Sequence, residues 1–524
     1  MQFMQTLATL EEEEERVASK PSDAIAGVVT CMKPVSESVL RATRACDALA
    51  GFGSALRGSK TLHHRSYQTQ AISMFWSHSW HGSAWRKWIT LLLFYNGQAA
   101  TAIACIGSAV ASVLFAFGFL PVLSGPDNFT EHVSQDMWQS FWAASVGMIL
   151  YLSVLVFWRP SGSIFLDMIC INQMNTCSKG QGLLSIGAFL KSSQSMLVLW
   201  DATYSDRLWT MFEIAGFLKS RREGERPRIV LRPTMLGPCY LVQTLTLFLL
   251  LTVIGNISIH VSGDGQRAVW TLYLVVCFGV LYINAASFRI YFRSVSDSLD
   301  RLACWSLADV HCFCCSDGHR QNPGLCDREI VLKCICTWFG SVEEFEKRVR
   351  TELFDTFTYE QSRQPFTYGQ VAIALVPFFW SALDRASVWA RFAADLDPWS
   401  VASPEVVASR EVLRGVGLWL GACPVGFLVQ CRLACCLQRK CRWSICEHLL
   451  NSLPVFATGF AFSVHFFLEQ LLFYHPILEY DGHGHLPGTI LLTATVLPLA
   501  WLLYRYVGAG PTVRARTVNR DMIV

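Results

Sequence analysis

Charged side chains are scarce in this chain of 524 residues. Asp, Glu, Lys and Arg together make up 16% of it, whereas soluble domains have about 25%, and apolar residues make up 52%. This scarcity excludes a disordered chain and an ordinary soluble enzyme, and it favours an integral membrane protein. The formal net charge is only +3. The sequence therefore offers no basic excess for binding nucleic acid, and we expect no nucleic-acid partner.

Several common motifs are also absent. The sequence has no Walker phosphate-binding loop and no G-x-G-x-x-G dinucleotide fingerprint. The first residues lack the basic start of a cleavable signal peptide and run into the acidic stretch Glu11–Glu15. We therefore expect residues 1–68 to form a flexible N-terminal tail that carries this acidic run.

The apolar residues come in blocks, and a membrane span needs about 20 of them. Eight blocks qualify, of which the fifth and sixth are the weakest: 97–120, 138–158, 239–260, 268–288, 366–383, 415–431, 449–473 and 488–504. The pattern predicts a polytopic α-helical membrane protein of about eight spans. Two hairpins (97–158 and 237–290) would precede a four-span bundle (366–508), and the lipid bilayer would be the main partner.

Basic residues and cysteines predict the orientation. The segments 1–87, 159–238 and 289–365 carry ten Lys or Arg residues each, whereas 121–137 and 474–487 carry none. Because basic loops stay inside, both termini are predicted to be cytoplasmic, including a basic tail at 509–524. None of the 20 cysteines falls in a predicted outer loop. We expect reduced thiols rather than a disulfide framework.

Two cytoplasmic segments, 69–96 and 159–236, read together as one α/β domain. Short apolar runs at 71–76, 164–169, 196–200 and 228–231 are typical of buried strands, with helical patterns at 181–192 and 207–222 between them. This alternation predicts a flavodoxin-like parallel sheet, split by the first transmembrane hairpin. Ligands of such sheets bind beyond the carboxyl ends of the strands, where Ser77, Ser79, Trp80 and Asp167 stand.

Three stretches of this domain resemble Toll/interleukin-1 receptor (TIR) domains and their fungal heterokaryon-incompatibility relatives. Phe165–Gln173 (FLDMICINQ) is similar to the fungal D-x-x-C-I-N-Q signature, and Ser195–Tyr204 (SMLVLWDATY) resembles a TIR strand. Arg207–Ile214 (RLWTMFEI) resembles the W-C-x-x-E-L motif, with Thr210 in place of its cysteine. The first TIR box is not recognisable. The resemblance implies self-association or binding to other TIR-like domains, NAD as a substrate, and Glu213 as the catalytic residue.

The residues around Glu213 support a functional carboxyl group independently. It is the only charged residue between Arg207 and Lys219, and helical spacing places it on one face with Trp209 and Phe217. Desolvation there would raise its pKa. We expect Trp80 or Trp76 to stack on nicotinamide, and Ser77 or Ser79 to bind hydroxyl or phosphate oxygens. Asp167 and Trp209 complete the candidate cofactor-binding set. The alternative is a structural carboxylate paired with an Arg or His beside core tryptophans.

The segment 291–365 is predicted to be a separate cysteine-rich domain. Cys312 and Cys315 have the C-x-x-C spacing of half a tetrahedral zinc site, and Cys334 and Cys336 are candidates for the other half. His311 and His319 lie close enough in sequence to contribute. Ordinary reduced thiols are the alternative to a zinc site.

Three functions remain open from the sequence. The first is a membrane-anchored TIR-like module for signalling or assembly. The second is a TIR-like NAD glycohydrolase that uses Glu213. The third is a transporter or channel with regulatory cytoplasmic domains, for which Glu469 in the seventh block would be the pore-lining candidate.

Overall fold

The structure is a computed structural model, and its contacts divide the chain into two compact units. The sheet unit comprises Met1–Trp88, Arg159–Thr234 and Asp297–Thr358, and the helical unit comprises Ile89–Trp158, Met235–Ser296 and Tyr359–Val524. The structure describes residues 21–59, 61–122, 139–222, 227–254, 264–318, 326–363, 366–396, 403–473 and 486–507.

The sheet unit is built around a six-stranded mixed sheet. Its strands are β1 (Arg41–Arg44), β2 (Tyr67–Gln68), β3 (Ile72–His78), β4 (Ser163–Phe165), β5 (Ser193–Trp200) and β6 (Ile229–Pro233). The spatial order is β2-β1-β4-β3-β5-β6. Strands β4, β3, β5 and β6 are parallel to one another, and β1 is antiparallel to β4 and to β2. Each of the four parallel strands overlaps one of the four apolar runs, because buried parallel strands need apolar residues on both faces. The run 164–169 is a strand only through Phe165, and its second half belongs to the helix Asp167–Cys170.

The helices of the sheet unit are short. They are α1 (Pro21–Thr30), α2 (Ala45–Gly53), α5 (Asp167–Cys170), α6 (Thr176–Leu184), α7 (Ile186–Ser192), α8 (Leu208–Lys219), α11 (Phe313–Ser316), α12 (Asp327–Phe339) and α13 (Val342–Arg348). Three helices belong to this unit only in part: α3 (Ala84–Ala116) and α14 (Phe354–Arg363) start in it, and α10 (Asp264–Ala303) ends in it. Single 3₁₀ turns lie at Glu37–Val39, Leu62–Arg65 and Leu307–Asp309, and a π-helical turn lies at Val349–Leu353.

The N-terminal segment corrects the expectation of a tail through residue 68. Residues 21–68 contain α1, α2 and the two antiparallel edge strands, whereas the acidic run Glu11–Glu15 lies outside the described residues. Helix α1 is held on α12 by a salt bridge from Lys333 to Asp23 and by a hydrogen bond from Ser22 to Glu329. Local sequence patterns could not predict these contacts, because the two helices lie some 300 residues apart in the chain.

The cysteine-rich segment is likewise not a separate domain. Residues 297–358 belong to the sheet unit, where α12 packs on both α1 and α8. The ring of Trp338 on α12 stacks on Phe212 of α8, with centroids 5.3 Å apart. A 13-residue helix with one apolar face cannot bury that face alone, so it completes the neighbouring core.

The helical unit contains the apolar blocks. Its helices are most of α3, α4 (Trp142–Phe157), α9 (Leu236–Leu249, continued as a π turn to Ile254), most of α10, part of α14, α15 (Tyr368–Leu375), α16 (Pro377–Leu396), α17 (Pro404–Gly417, continued by a π turn at Leu418–Ala422), α18 (Cys423–Cys436), α19 (Ser444–Phe473) and α20 (Leu486–Tyr506). Among the described residues, five helices are long and apolar enough to cross a membrane. The pair α15 and α16, bent by 46°, would make a sixth.

Of the eight predicted spans, five or six are therefore confirmed as helices long and apolar enough to cross, and the other two stay predictions. Within the described residues, the blocks 138–158 and 239–260 contain the shorter apolar helices Trp142–Phe157 and Leu236–Thr252. A helix of 16 residues is about 24 Å long, which is less than the roughly 30 Å of a bilayer core. The first block also differs, because it is part of α3, one continuous helix of 33 residues that begins at Ala84.

Candidate functional site

The candidate site lies where the strand order of the sheet reverses. Strand β3 is central, with β4 on one side and β5 on the other, so the chain crosses over β3 between β4 and β5. The ends of β3 and β5 lie side by side, with Ser77 in register with Val198 and His78 with Leu199. Loops that leave neighbouring strands in opposite directions open a crevice at such a point. The sequence prediction of a site at these strand ends therefore has a geometric basis.

Glu213 reaches this crevice from α8. Ser77 Oγ donates a hydrogen bond to Glu213 Oε2 over 2.5 Å, and the Tyr204 hydroxyl lies 2.5 Å from the same Ser77 oxygen. Because a serine has a single hydroxyl proton, Tyr204 donates to Ser77 while Ser77 donates to Glu213. Among the described residues Glu213 has no cationic partner, so the alternative of an Arg or His pair does not apply.

Burial dominates the electrostatics of this carboxyl group. Desolvation raises the pKa of Glu213 to about 8, while the Ser77 hydrogen bond lowers it and the charge of Asp167 raises it further. Its helical neighbours Phe212 and Phe217 are buried. Desolvation likewise raises the pKa of Tyr204 well above its usual value, so its phenol stays protonated. Glu213 is thus a neutral acid at pH 7 that can lose its proton under a modest perturbation.

The Tyr204 position depends on the turn that begins α8. Thr210 Oγ1 donates to the Tyr204 carbonyl over 2.5 Å and is 2.9 Å from the Arg207 carbonyl. Thr210 therefore links the turn before α8 to the first residues of that helix. This bond fixes the Tyr204 hydroxyl relative to Glu213.

A second group of side chains lies beside the first. Asp167, at the start of α5, accepts a 3.0 Å hydrogen bond from Trp80 Nε1, and its other oxygen is 3.8 Å from His78 Nε2. His78 is buried, and in the described part of the chain neither of its ring nitrogens has a hydrogen-bond partner. Desolvation lowers the pKa of His78, which keeps it neutral. A buried imidazole with two unsatisfied nitrogens is expensive unless water or a ligand reaches it.

The loop after β5 carries further polar groups of the site. Ser79 Oγ lies 2.7 Å from Thr203 Oγ1, which donates to Asp201 Oδ1. The other Asp201 oxygen is buried and finds no hydrogen-bond partner within the described residues. It packs against Gly82, where a Cβ atom would lie only 1.9 Å from it. Glycine is therefore required at position 82 for this close approach.

A buried lysine closes the same loop. Lys87 Nζ donates to the carbonyls of Ser79 and Gly82, and desolvation lowers its pKa. It is one of the largest fully buried side chains in the described structure. Lys87 thus fixes the 79–82 loop. Its positive charge lies near Asp201 and Asp167, and both carboxylates raise the pKa of Lys87.

The structure brings together five of the six predicted catalytic and cofactor-binding residues. Ser77 contacts Glu213, Trp80 contacts Asp167, and Ser79 belongs to the adjoining loop. Trp209 points elsewhere, since its Nε1 donates to Asp327 on α12 over 3.1 Å. Its place in the nucleotide set is therefore corrected to a contact with α12.

Sequence reasoning omitted three residues from this set. Tyr204, His78 and Lys87 are not among the candidate residues that the sequence predicts. His78 is the last residue of β3 and Tyr204 lies in the loop after β5, so their places near the strand ends could have identified them. Lys87 had no such signal, because its burial follows from the fold of the 79–82 loop.

A cluster of thiols lies in the same unit. Cys312, Cys314 and Cys315 bring their sulfur atoms within 4.8 Å of one another and could hold a metal ion. Of the other predicted ligands, Cys334 is buried with its thiol directed to the Ala26 carbonyl, Cys336 is exposed on α12, and His319 lies outside the described residues. His311 is engaged through its backbone with Asp206 and Leu208. The second half of the predicted zinc site is thus not formed by Cys334.

Comparison of the chain with protein-family models, with curated proteins and with solved structures finds no match.

Proposed function

We propose that the sheet unit is a hydrolytic site for the N-glycosidic bond of NAD or a related nucleotide with a cationic ring, and that the helical unit anchors it in a membrane. The observation that carries the proposal is the Tyr204–Ser77–Glu213 hydrogen-bond chain at the strand-order reversal. It places a carboxyl group with a pKa of about 8 where a ligand would bind.

The order of the parallel strands supports a nucleotide site. Numbered among themselves along the chain, β3, β4, β5 and β6 have the spatial order 2-1-3-4. This is the order of flavodoxin-like sheets, in which the ligand lies between the first and third strands. TIR domains share that arrangement, so the resemblance of Arg207–Ile214 and the strand order point to the same fold.

The chemistry follows from the charges. Cleavage breaks the bond between the ribose carbon and the ring nitrogen. The electron pair of that bond stays on the nitrogen and neutralises the pyridinium ring. Water then adds to the oxocarbenium-like carbon and releases a proton. A carboxylate stabilises such a carbon, as in glycosidases. The cationic ring would itself favour the ionised form of Glu213, so substrate binding and loss of the Glu213 proton are coupled.

The surrounding residues have matching roles in this proposal. Trp80 is 54% exposed and can offer its ring to the nicotinamide, while Asp167 holds its indole nitrogen. Ser79, Thr203 and the unsatisfied nitrogens of His78 can bind ribose hydroxyls or phosphate oxygens. The unsatisfied oxygen of Asp201 suits a ribose hydroxyl as its donor.

The decisive experiment is a direct assay. The full chain, purified in detergent, is incubated with NAD at several protein densities, including conditions that promote self-association, and nicotinamide release is followed. We expect release by the wild type, and a loss of at least about 100-fold in Glu213→Gln, which keeps the Ser77 hydrogen bond but has no ionisable group. Glu352→Gln, at an exposed position of the same unit, is the matched control. Equal rates in wild type and Glu213→Gln, or no release under any condition, would remove the proposal.

The second candidate is a TIR-like assembly module, and exposed aromatic rings favour it. Phe52 and Trp85 are 58% and 48% exposed in the sheet unit, and both pack on the buried Trp88. Exposed aromatic residues on a rigid base are typical of contact surfaces between proteins. Trp85→Ala would then reduce self-association measured by cross-linking in detergent, with nicotinamide release unchanged for a pure module.

The membrane part of the proposal has an even number of spans and keeps both termini cytoplasmic, as the basic segments suggest. A transport function receives less support, because Glu469 is buried in a salt bridge with Arg414 in the helical unit. A carboxylate that is fixed by a bidentate arginine is a poor carrier of protons or cations. Glu411 is similarly held by Arg385 and Arg410.

A further inference from the structure

Four sulfur atoms meet at the start of α11 and α12. Cys312 Sγ lies 3.2 Å from Cys314 Sγ, Cys314 Sγ lies 3.8 Å from Cys326 Sγ, and Cys315 Sγ lies 3.5 Å from Cys326 Sγ. None of these distances is near the 2.05 Å or so of a disulfide bond. Cys326 precedes α12 and was not among the ligands expected from sequence spacing.

We propose that Cys312, Cys314, Cys315 and Cys326 form a four-thiolate zinc site that joins the start of α11 to the start of α12, beside the helix bearing Glu213. Zinc binds thiolates at about 2.3 Å in a tetrahedron, so neighbouring sulfur atoms of a complete site are about 3.8 Å apart. The three separations given above lie within about 0.6 Å of this edge. The sulfur atoms of Cys312, Cys314 and Cys315 all lie within 4.8 Å of one another, whereas Cys326 Sγ is that close to Cys314 and Cys315 only. A shift of Cys326 towards Cys312 would complete the tetrahedron.

A divalent cation suits this cluster of thiols. Binding of the ion releases the thiol protons, and its charge then holds the resulting thiolates together. Soft sulfur ligands in a tetrahedral set select zinc over magnesium or calcium.

The groups around the sulfur atoms suit a negatively charged metal centre. The backbone N–H of Asp327 donates to Cys314 Sγ over 3.2 Å, a contact that stabilises a thiolate. Arg207 is close enough to Cys312 to interact with its charge. Arg328 donates to the carbonyls of Leu307 and Val310, just before the first ligand. Four thiolates and one Zn²⁺ carry a charge of about −2, which these two arginines offset.

The site is joined to α8 on both sides. Before the first ligand, His311 forms a parallel bridge with Arg207, in which the Leu208 amide donates to the His311 carbonyl. After the last ligand, Asp327 accepts the hydrogen bond of Trp209. Both contacts fall on the first turn of α8, one turn before Glu213. A bound ion would thus hold the two segments that position this turn.

The test is the metal content of the full chain, purified in detergent without chelator. We expect about one zinc ion per chain, and a loss of at least about tenfold in Cys315→Ser and Cys326→Ser. Cys304→Ser and Cys336→Ser, at exposed positions of the same unit, are matched controls that keep the zinc. A tetrathiolate site would also take up Co²⁺ with sulfur-to-metal charge-transfer absorption, which reports the ligands even in a variant of low stability.

The contrary outcomes are equally definite. Zinc-free wild-type protein that fails to bind added Zn²⁺ or Co²⁺ would overturn the proposal, as would iron in place of zinc. Zinc that is retained in both Cys315→Ser and Cys326→Ser would refute the ligand set. Alkylation and mass spectrometry that find these cysteines joined in disulfides would replace the metal site by a redox pair.

Discussion

Replacing Glu213 by Gln tests the central feature of the site through stability alone. The folded chain holds this carboxyl with a pKa of about 8, against 4.5 for a free glutamate. At pH 7 the folded state therefore keeps the proton, while the unfolded state releases it. Each unit between the two pKa values costs about 1.4 kcal/mol, and the side chain keeps some contact with water, so the expected penalty at pH 7 is about 2–3 kcal/mol.

Glu213→Gln removes this penalty and keeps an oxygen that accepts the Ser77 hydrogen bond. Because the folded pKa is raised, the wild type loses stability as the pH rises from about 4.5 to about 8, and the loss is constant above that. The variant should equal the wild type near pH 4.5 and become progressively more stable up to pH 8. Thermal unfolding in detergent, followed by tryptophan fluorescence across this range, measures the difference.

The control for this prediction is Glu352→Gln, at an exposed position of the same unit. Its stability relative to wild type should not acquire the same dependence on pH. A constant difference between Glu213→Gln and wild type from pH 5 to 8.5 would show that Glu213 is ionised in the folded protein. The buried neutral acid would then be refuted, and with it the proposed coupling between cation binding and proton loss.

Other substitutions test the neighbouring contacts. Ser77→Ala removes the donor that lowers the Glu213 pKa, so the half-maximal pH of nicotinamide release should move upward, and an unchanged profile would contradict the hydrogen bond. Gly82→Ala places a Cβ atom against Asp201 and should destabilise the protein by about 1–3 kcal/mol in the same unfolding assay. Asp384 accepts hydrogen bonds from Ser140 and from the first N–H groups of α4. Asp384→Ala should therefore cost about 2–4 kcal/mol, and a loss below about 0.5 kcal/mol would show that these bonds are not needed.

The apolar blocks show which properties of a membrane helix can be predicted from hydropathy alone. Composition predicted apolar helices in all eight places, because burying apolar residues in lipid requires a helix. Their lengths depended on where each helix ends, and within the described residues two of them are shorter than a bilayer span. The bent pair α15 and α16 could not be distinguished from a straight span, since a bend of 46° leaves the hydropathy unchanged.

The sequence by itself determined the local elements of the site. Four apolar runs predicted the four parallel strands, and the single charge in an apolar helix identified Glu213, since local hydrogen bonding and side-chain period act over a few residues. The tertiary structure alone decided the partners. In the folded chain Ser77 and Tyr204 form a hydrogen-bond chain to Glu213, and Trp209 donates to Asp327. Helix α1 packs on α12, and Cys326 lies beside the other thiols. These contacts join residues between 11 and about 310 positions apart, and they form because short helices and strands bury their apolar faces only against one another.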